Sequence, residues 1–99
     1  MDERRFDMVC ALVESSIGYF TPVAAALALD AYDRGETRSA SERCLACYGG
    51  DLRKMVEADL AYWAVISEER RERTRREVRA LMGCDFLTQM TASLMWPTM

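Results

Sequence analysis

The sequence predicts an all-α fold, a small single-domain bundle of about five helices over residues 1–99 with a long, charged fourth helix. Apolar residues recur at spacings of three and four, which is the periodicity of amphipathic helices. Cap residues and glycine breaks divide this pattern into helix-sized segments, and β-branched residues are sparse. A chain of 99 residues is long enough for one compact domain with one core.

The first two helices are predicted from an apolar stripe and from a cap. The stripe lies on one side of a helical wheel, and Met8, Leu12 and Tyr19 form a second stripe, so we expect this helix to be covered on more than one face. The first stripe consists of Phe6, Val9, Cys10, Val13, Ile17 and Phe20. Thr21 before Pro22 matches an N-cap and the first position of the second helix. The alanines of that helix indicate a central position.

The third helix is predicted from a candidate capping box, Ser39 with Glu42, and we expect it to end before Gly49. Asp51 can cap a fourth helix. An unbroken helix over 51–82 would be roughly 48 Å long at about 1.5 Å per residue, longer than a globule of this size. We therefore expect it to overhang, to bend near Ser67 or to lie against a second copy.

The last helix is predicted beyond Gly83, which is expected to end the fourth one. Asp85 can cap this last helix, and Trp96 and Pro97 can stop it. Its apolar side consists of Phe86, Leu87, Met90 and Leu94.

Residues 67–77 contain no apolar side chain, and five of them are Arg and four are Glu. A helix here is not expected to pack against the core. One interpretation is a solvated helix, supported by the pairs Glu69–Arg73 and Glu72–Arg76. The second is a protein-binding surface whose arginines bind carboxylates of a partner or a second subunit, and the third is phosphate contact. The candidate partner-binding residues are Glu69, Arg70, Arg73, Arg76, Arg79, Met95 and Trp96.

Several enzyme classes are excluded by composition. The chain has no histidine, so Ser-His-Asp or Cys-His catalysis within it is excluded. Gly49 and Gly50 lack the spaced glycines and the lysine of a phosphate-binding loop. The single lysine, Lys54, falls on a polar helix face. We therefore predict no enzymatic activity, no catalytic residue and no cofactor.

The cysteines are interpreted as buried apolar thiols, and no metal ligand is assigned. Cys44 and Cys47 form one C-x-x-C pair within a helical pattern, while Cys10 and Cys84 stand alone. A four-thiolate zinc site and disulfide or redox chemistry remain as alternatives.

Asp59 falls in the apolar stripe of the fourth helix, where an unpaired charge is costly. We expect it at the edge of the core, bonded to a Tyr or Trp donor or to an arginine such as Arg4 or Arg5. The alternative is a carboxylate of raised pKa in a cleft. Asp30 and Asp33 are interpreted as solvated rather than as cation ligands.

The net charge of −3 disfavours generic binding to nucleic acid or to an anionic membrane. The first residues lack the apolar run of a signal peptide, which favours a cytoplasmic location. The leading hypothesis is a small non-enzymatic protein-binding module, a regulator or phage-type inhibitor that occupies a surface of a partner protein or complex, or of its own copy. The alternatives are a helix-turn-helix DNA-binding regulator that reads with residues 39–48, and a cysteine-based metal or redox protein.

Overall fold

The protein is an all-α helical bundle, as predicted. The computed structural model describes the backbone of residues 2–95 and the side chains of residues 2–83. Five helices follow one another: α1 (Glu3–Ser16), α2 (Pro22–Asp33), α3 (Glu42–Tyr48), α4 (Leu52–Val65) and α5 (Glu68–Met95). The described backbone contains no β-strand, although Arg38 and Asp51 form an isolated bridge.

Side-chain caps begin the first four helices. Each cap accepts a hydrogen bond from the backbone N–H three residues later, and such a bond stabilises a helix by roughly 0.5–2 kcal/mol. The caps are Asp2, Thr21, Ser41 and Asp51. Those at Thr21 and Asp51 were predicted. The cap of α3 is Ser41 rather than Ser39, because the Ser39 hydroxyl accepts from the Ser41 N–H instead.

The central helix is α1, not α2 as its alanines indicated. The α1 helix packs against α2, α4 and α5, and it buries four consecutive residues, 9–12, which requires neighbours on all sides. The α2 helix instead exposes Val23 and Leu27. The buried apolar residues are Val9, Cys10, Ala11, Leu12, Phe20, Ala25, Leu29, Cys44, Leu52, Met55, Val56, Trp63 and Val78.

The chain bends between α4 and α5, so the charged helix is the fifth and not the fourth. Ile66 is extended, with ψ at 164°, and Ser67 accepts a hydrogen bond from the Arg70 N–H at 3.2 Å. The Arg71 guanidinium donates to the carbonyls of Trp63 and Ile66 at 3.0 and 2.9 Å. A cation here satisfies carbonyls that the end of α4 would leave unpaired and interacts favourably with the helix dipole.

The predicted break at Gly83 is wrong, because α5 continues through it to Met95. A helix-ending glycine adopts a positive φ, and Gly83 is not among the glycines that do. A glycine inside a helix costs only about 1 kcal/mol relative to alanine. The separate helix expected from Asp85 is therefore the second half of α5, and Trp96 and Pro97 lie outside the described residues.

Candidate protein-binding surface

The inner face of α5 packs against the body of the protein, contrary to the expectation for residues 67–77. Thr74 is only 3% exposed and Val78 is fully buried. Arg70 Nε lies 2.6 Å from Glu14 Oε1, and the Thr74 hydroxyl donates to the other oxygen of that carboxylate at 2.8 Å. Polar side chains therefore hold this part of α5 against α1. The lack of apolar residues in the sequence of this segment gave no indication of this contact.

Arg75 forms the second link between α5 and α1. Its Nε and Nη2 atoms donate to the two carboxylate oxygens of Asp7 at 2.9 and 3.0 Å. These bonds hold the pKa of Asp7 below its ordinary value. The same guanidinium also binds Glu68 and Glu72. Arg75 is thus held by three carboxylates and stays partly buried.

The spacing of two acids on α1 explains this docking. Asp7 and Glu14 are seven residues apart, so they lie two turns apart on one helix face. Because α5 runs antiparallel to α1, Glu14 meets Arg70 and Asp7 meets Arg75. Acids at this spacing beside an apolar stripe were a readable signal in the sequence, and they were not singled out.

Arg79 also points to the inner side of α5. Its guanidinium carbon lies 4.7 Å from the centroid of the Phe6 ring, within the range of a cation–π contact. Two of the predicted partner-binding residues, Arg70 and Arg79, therefore make contacts within the protein.

The outer face of α5 carries the remaining predicted residues. Glu69, Arg73 and Arg76 are exposed, and neither arginine forms an ion pair with any side chain of residues 2–83. The predicted pairs are not formed in this part of the chain, since Glu72 binds Arg75 instead. Met95 is the last residue of α5 and its side chain is not described, and Trp96 lies outside the described residues.

An apolar groove lies between α1 and α5, beside the start of α2. Its volume is about 490 Å³. Glu14, Arg70 and Glu77 also line it and supply its charged groups. The apolar wall is formed by Val13, Ile17, Phe20, Pro22 and Leu81. We call this feature the groove.

Ile17 is the most unusual residue of the groove. It caps the end of α1 in the left-handed conformation, with φ at 52°, and it is 91% exposed. This conformation is an outlier for a β-branched residue. The sequence placed Ile17 in the core stripe of the first helix, but the chain leaves the helix at this residue and the wheel no longer gives its direction. An exposed, strained isoleucine contributes nothing to the described core.

Asp59 is fully inside the protein, and its partner is Arg43 rather than Arg4 or Arg5. The two guanidinium nitrogens of Arg43 lie 2.6 and 2.8 Å from the two carboxylate oxygens of Asp59. Burial raises the pKa of this carboxyl, and Arg43 opposes that shift. Because both oxygens bind Arg43, the pair fastens α3 to α4, and the arrangement differs from a free carboxylate in a cleft.

Arg43 is enclosed by aromatic rings. Its guanidinium carbon lies 5.7 Å from the Phe20 centroid and 5.6 Å from the Tyr48 centroid. In the helix-turn-helix interpretation Arg43 was the basic residue of the reading helix. The structure places it only 9% exposed, where it has no access to a DNA groove.

The two aspartates near the end of α2 are bridged by a single arginine. Arg5 lies 3.0 Å from an Asp30 oxygen and also binds Asp33. This contact ties the end of α2 to the start of α1, and it accounts for two acids that the sequence left as solvated.

The cysteines occupy different environments. Cys10 and Cys44 are buried, and burial raises the pKa of Cys10 to about 12, so this thiol is neutral at ordinary pH. Cys47 is exposed, contrary to the prediction of buried thiols. The Cys84 side chain is not described. Within the described residues, no cluster of three or more potential ligands could hold a metal ion.

No family model matches the sequence, and neither a curated protein nor a solved structure matches it. Among the described helices, none has both the length and the apolar character needed to cross a bilayer.

Proposed function

We propose that this protein is a small non-enzymatic module that binds an acidic surface of a partner protein or complex through the outer face of α5. It would act as a regulator or inhibitor by occupying that surface. The observation that supports this most is the state of Arg73 and Arg76, which are exposed and have no ion-pair partner within residues 2–83. The neighbouring Arg70, Arg71 and Arg75 are all held by contacts within the chain.

Contacts of the inner face of α5 hold its outer face in a fixed position for binding. The pairs of Arg70 with Glu14 and of Arg75 with Asp7 hold the α5 backbone against α1. Arg73 and Arg76 are therefore presented from a fixed helix, and binding need not first order a flexible segment. Arginine suits this role because its planar guanidinium binds a carboxylate with two hydrogen bonds.

The proposal of a non-enzymatic role rests on how the reactive groups are used. The chain has no histidine, both oxygens of Asp59 are bound by Arg43, and the thiol of Cys10 is buried with a raised pKa. A cytoplasmic location is proposed as well. Cys10, Cys44 and Cys47 are free thiols, and a reducing compartment preserves such thiols.

The test is a charge reversal of the outer face. Affinity capture from the native host, followed by mass spectrometry, would identify a candidate partner. The dissociation constant of the purified pair is then measured for the wild type and for Arg73→Glu with Arg76→Glu. We expect the double variant to bind at least about tenfold more weakly, which corresponds to about 1.4 kcal/mol. Binding of the wild type should also weaken as salt is raised.

The matched control reverses two exposed charges on another helix, Arg53→Glu with Lys54→Glu on α4. It changes the net charge by the same amount and should leave the affinity close to that of the wild type. Circular dichroism checks that both double variants stay helical. Equal affinity of the folded α5 variant and the wild type would remove the outer face as the interface.

A further inference from the structure

We propose that two copies of this chain pair through α5, so that the second half of each α5 lies in the groove of the other copy. The segment concerned is 83–95, which we call the overhang. This inference is separate from the proposed partner-binding face, because it uses the groove and the overhang rather than Arg73 and Arg76.

The overhang extends past the end of the helix on which α5 is docked. Going along α5, Arg70 meets Glu14, Arg75 meets Asp7, and Met82 lines a pocket with Glu3. Glu3 is the first residue of α1, so α5 has reached the end of its neighbour at Met82. The helix then continues over 83–95, about 20 Å further at about 1.5 Å per residue.

The sequence of the overhang predicts that its apolar side packs against another surface. Within 83–95 the apolar residues recur at helical spacings, and the single charged residue is Asp85. They include Phe86, Leu87, Met90 and Leu94. An isolated helix of this length is marginal in water, and most helices depend on packing of an apolar face for their stability. A continuous α5 carries this segment beyond Leu81, the last α5 residue among those that line its own groove.

A second copy supplies a groove of the right length. The α5 wall of the groove runs from Arg70 to Leu81, about 17 Å at about 1.5 Å per residue. A two-fold axis near Gly83 would set the two α5 helices antiparallel, with each overhang beside residues 70–81 of the other copy. Both contacts form at once because such an interface uses the same surface twice. The exposed Ile17 and Leu81 would then be covered.

Two features without a use in a single copy fit this arrangement. Gly83 lies inside a helix, where glycine is unfavourable, yet a Cβ built on it would meet no atom within 4 Å. The lack of a side chain at Gly83 would allow a helix of a second copy to cross α5 closely at this point. Ile17 keeps a strained backbone and an exposed apolar side chain, which an intermolecular contact would bury.

The proposal is tested by sedimentation equilibrium and light scattering over a range of concentrations, with the full chain. We expect the wild type to form a dimer. Leu81→Glu alters the groove and Met90→Glu alters the overhang, and each should raise the dimer dissociation constant by roughly tenfold or more. Val65→Glu is the matched control, because Val65 is an exposed apolar residue outside the groove. It should leave the dimer unchanged.

Ile17→Gly distinguishes an effect on the dimer interface from an effect on the stability of the monomer. Glycine relieves the left-handed strain, so the monomer should melt at a higher temperature while the dimer weakens. A wild type that stays monomeric at every concentration up to about 1 mM, which bounds a biologically useful affinity, would overturn the proposal. So would a dimer that resists both Leu81→Glu and Met90→Glu. A dimer lost in Arg73→Glu with Arg76→Glu, but kept in Leu81→Glu, would place the contact on the outer face and also overturn it.

Discussion

The contact of α3 with α4 and the contact of α1 with α5 use the same chemical pair at different depths. In each, an arginine donates two hydrogen bonds to the two oxygens of one carboxylate. Arg43 and Asp59 are almost fully buried, whereas the side chain of Asp7 beside Arg75 is 37% exposed. The access of water therefore distinguishes the two pairs. The Arg43–Asp59 pair is part of the core, whereas the Arg75–Asp7 pair lies at the edge of the protein, and we call it the edge clamp.

The largest effect is expected when the buried pair loses one member. Arg43→Ala leaves the Asp59 carboxylate buried without a partner, and such a change costs roughly 3–5 kcal/mol. Urea unfolding followed by circular dichroism measures this loss. The double variant Arg43→Met with Asp59→Leu should recover most of it, because no charge is then left in the core. Equal stability of Arg43→Ala and the wild type would show that the pair is not the fastening of α3 to α4.

A smaller effect is expected at the edge clamp. Asp7→Ala removes the α1 partner of Arg75, but water replaces part of the lost interaction, and Arg75 keeps Glu68 and Glu72. We expect a loss of about 1 kcal/mol in the free energy of unfolding, as for partly exposed pairs. A loss as large as that of Arg43→Ala would contradict the proposed difference between the two contacts.

The edge clamp should also depend on pH. Arg75 lowers the pKa of Asp7 in the folded protein below the value near 4 of an unfolded chain. The stability that this bond contributes is therefore fully present above about pH 5 and is lost as the pH falls below about 4. The stability difference between the wild type and Asp7→Asn, measured by urea unfolding between pH 3 and pH 7, should shrink on acidification. A difference that grows toward acid pH would have the wrong sign.

The smallest effect is expected on the outer face of α5. Arg73→Ala and Arg76→Ala remove exposed side chains without an ion pair in the described structure, so each should change stability by less than about 0.5 kcal/mol. Thermal melting gives this value. If either variant lost as much stability as Asp7→Ala, the arginine would belong to the fold, and its availability to a partner protein would be in doubt.

Local signals in the sequence predicted much of the fold. Thr21 with Pro22 and Asp51 marked helix starts correctly, because a cap acts within three residues of chain. The bend near Ser67 was one of three expectations for residues 51–82, since a helix that long exceeds the size of the globule. Gly83 was misread because glycine ends a helix only when its backbone turns left-handed, and the sequence does not report that angle.

The candidate surface was predicted only in part. The sequence singled out the charged segment of α5 but did not separate Arg73 and Arg76 from Arg70 and Arg79. That separation depends on where Asp7, Glu14 and Phe6 of a distant helix lie. The groove around Ile17 was missed altogether, because it exists only where the end of α1, the start of α2 and the first half of α5 meet.

By itself, the sequence determined that this chain is helical, where two of its helices begin, and that a charged helix would lie beside an apolar body. Only the tertiary structure decided that Arg43 pairs with Asp59, that contacts with α1 hold one side of α5 in place, and that Ile17 is exposed to water. The physical reason is the distance along the chain over which each kind of interaction acts. Periodicity and caps act over a few neighbouring residues, whereas the partner of a charge is chosen by packing between segments that are far apart in the chain.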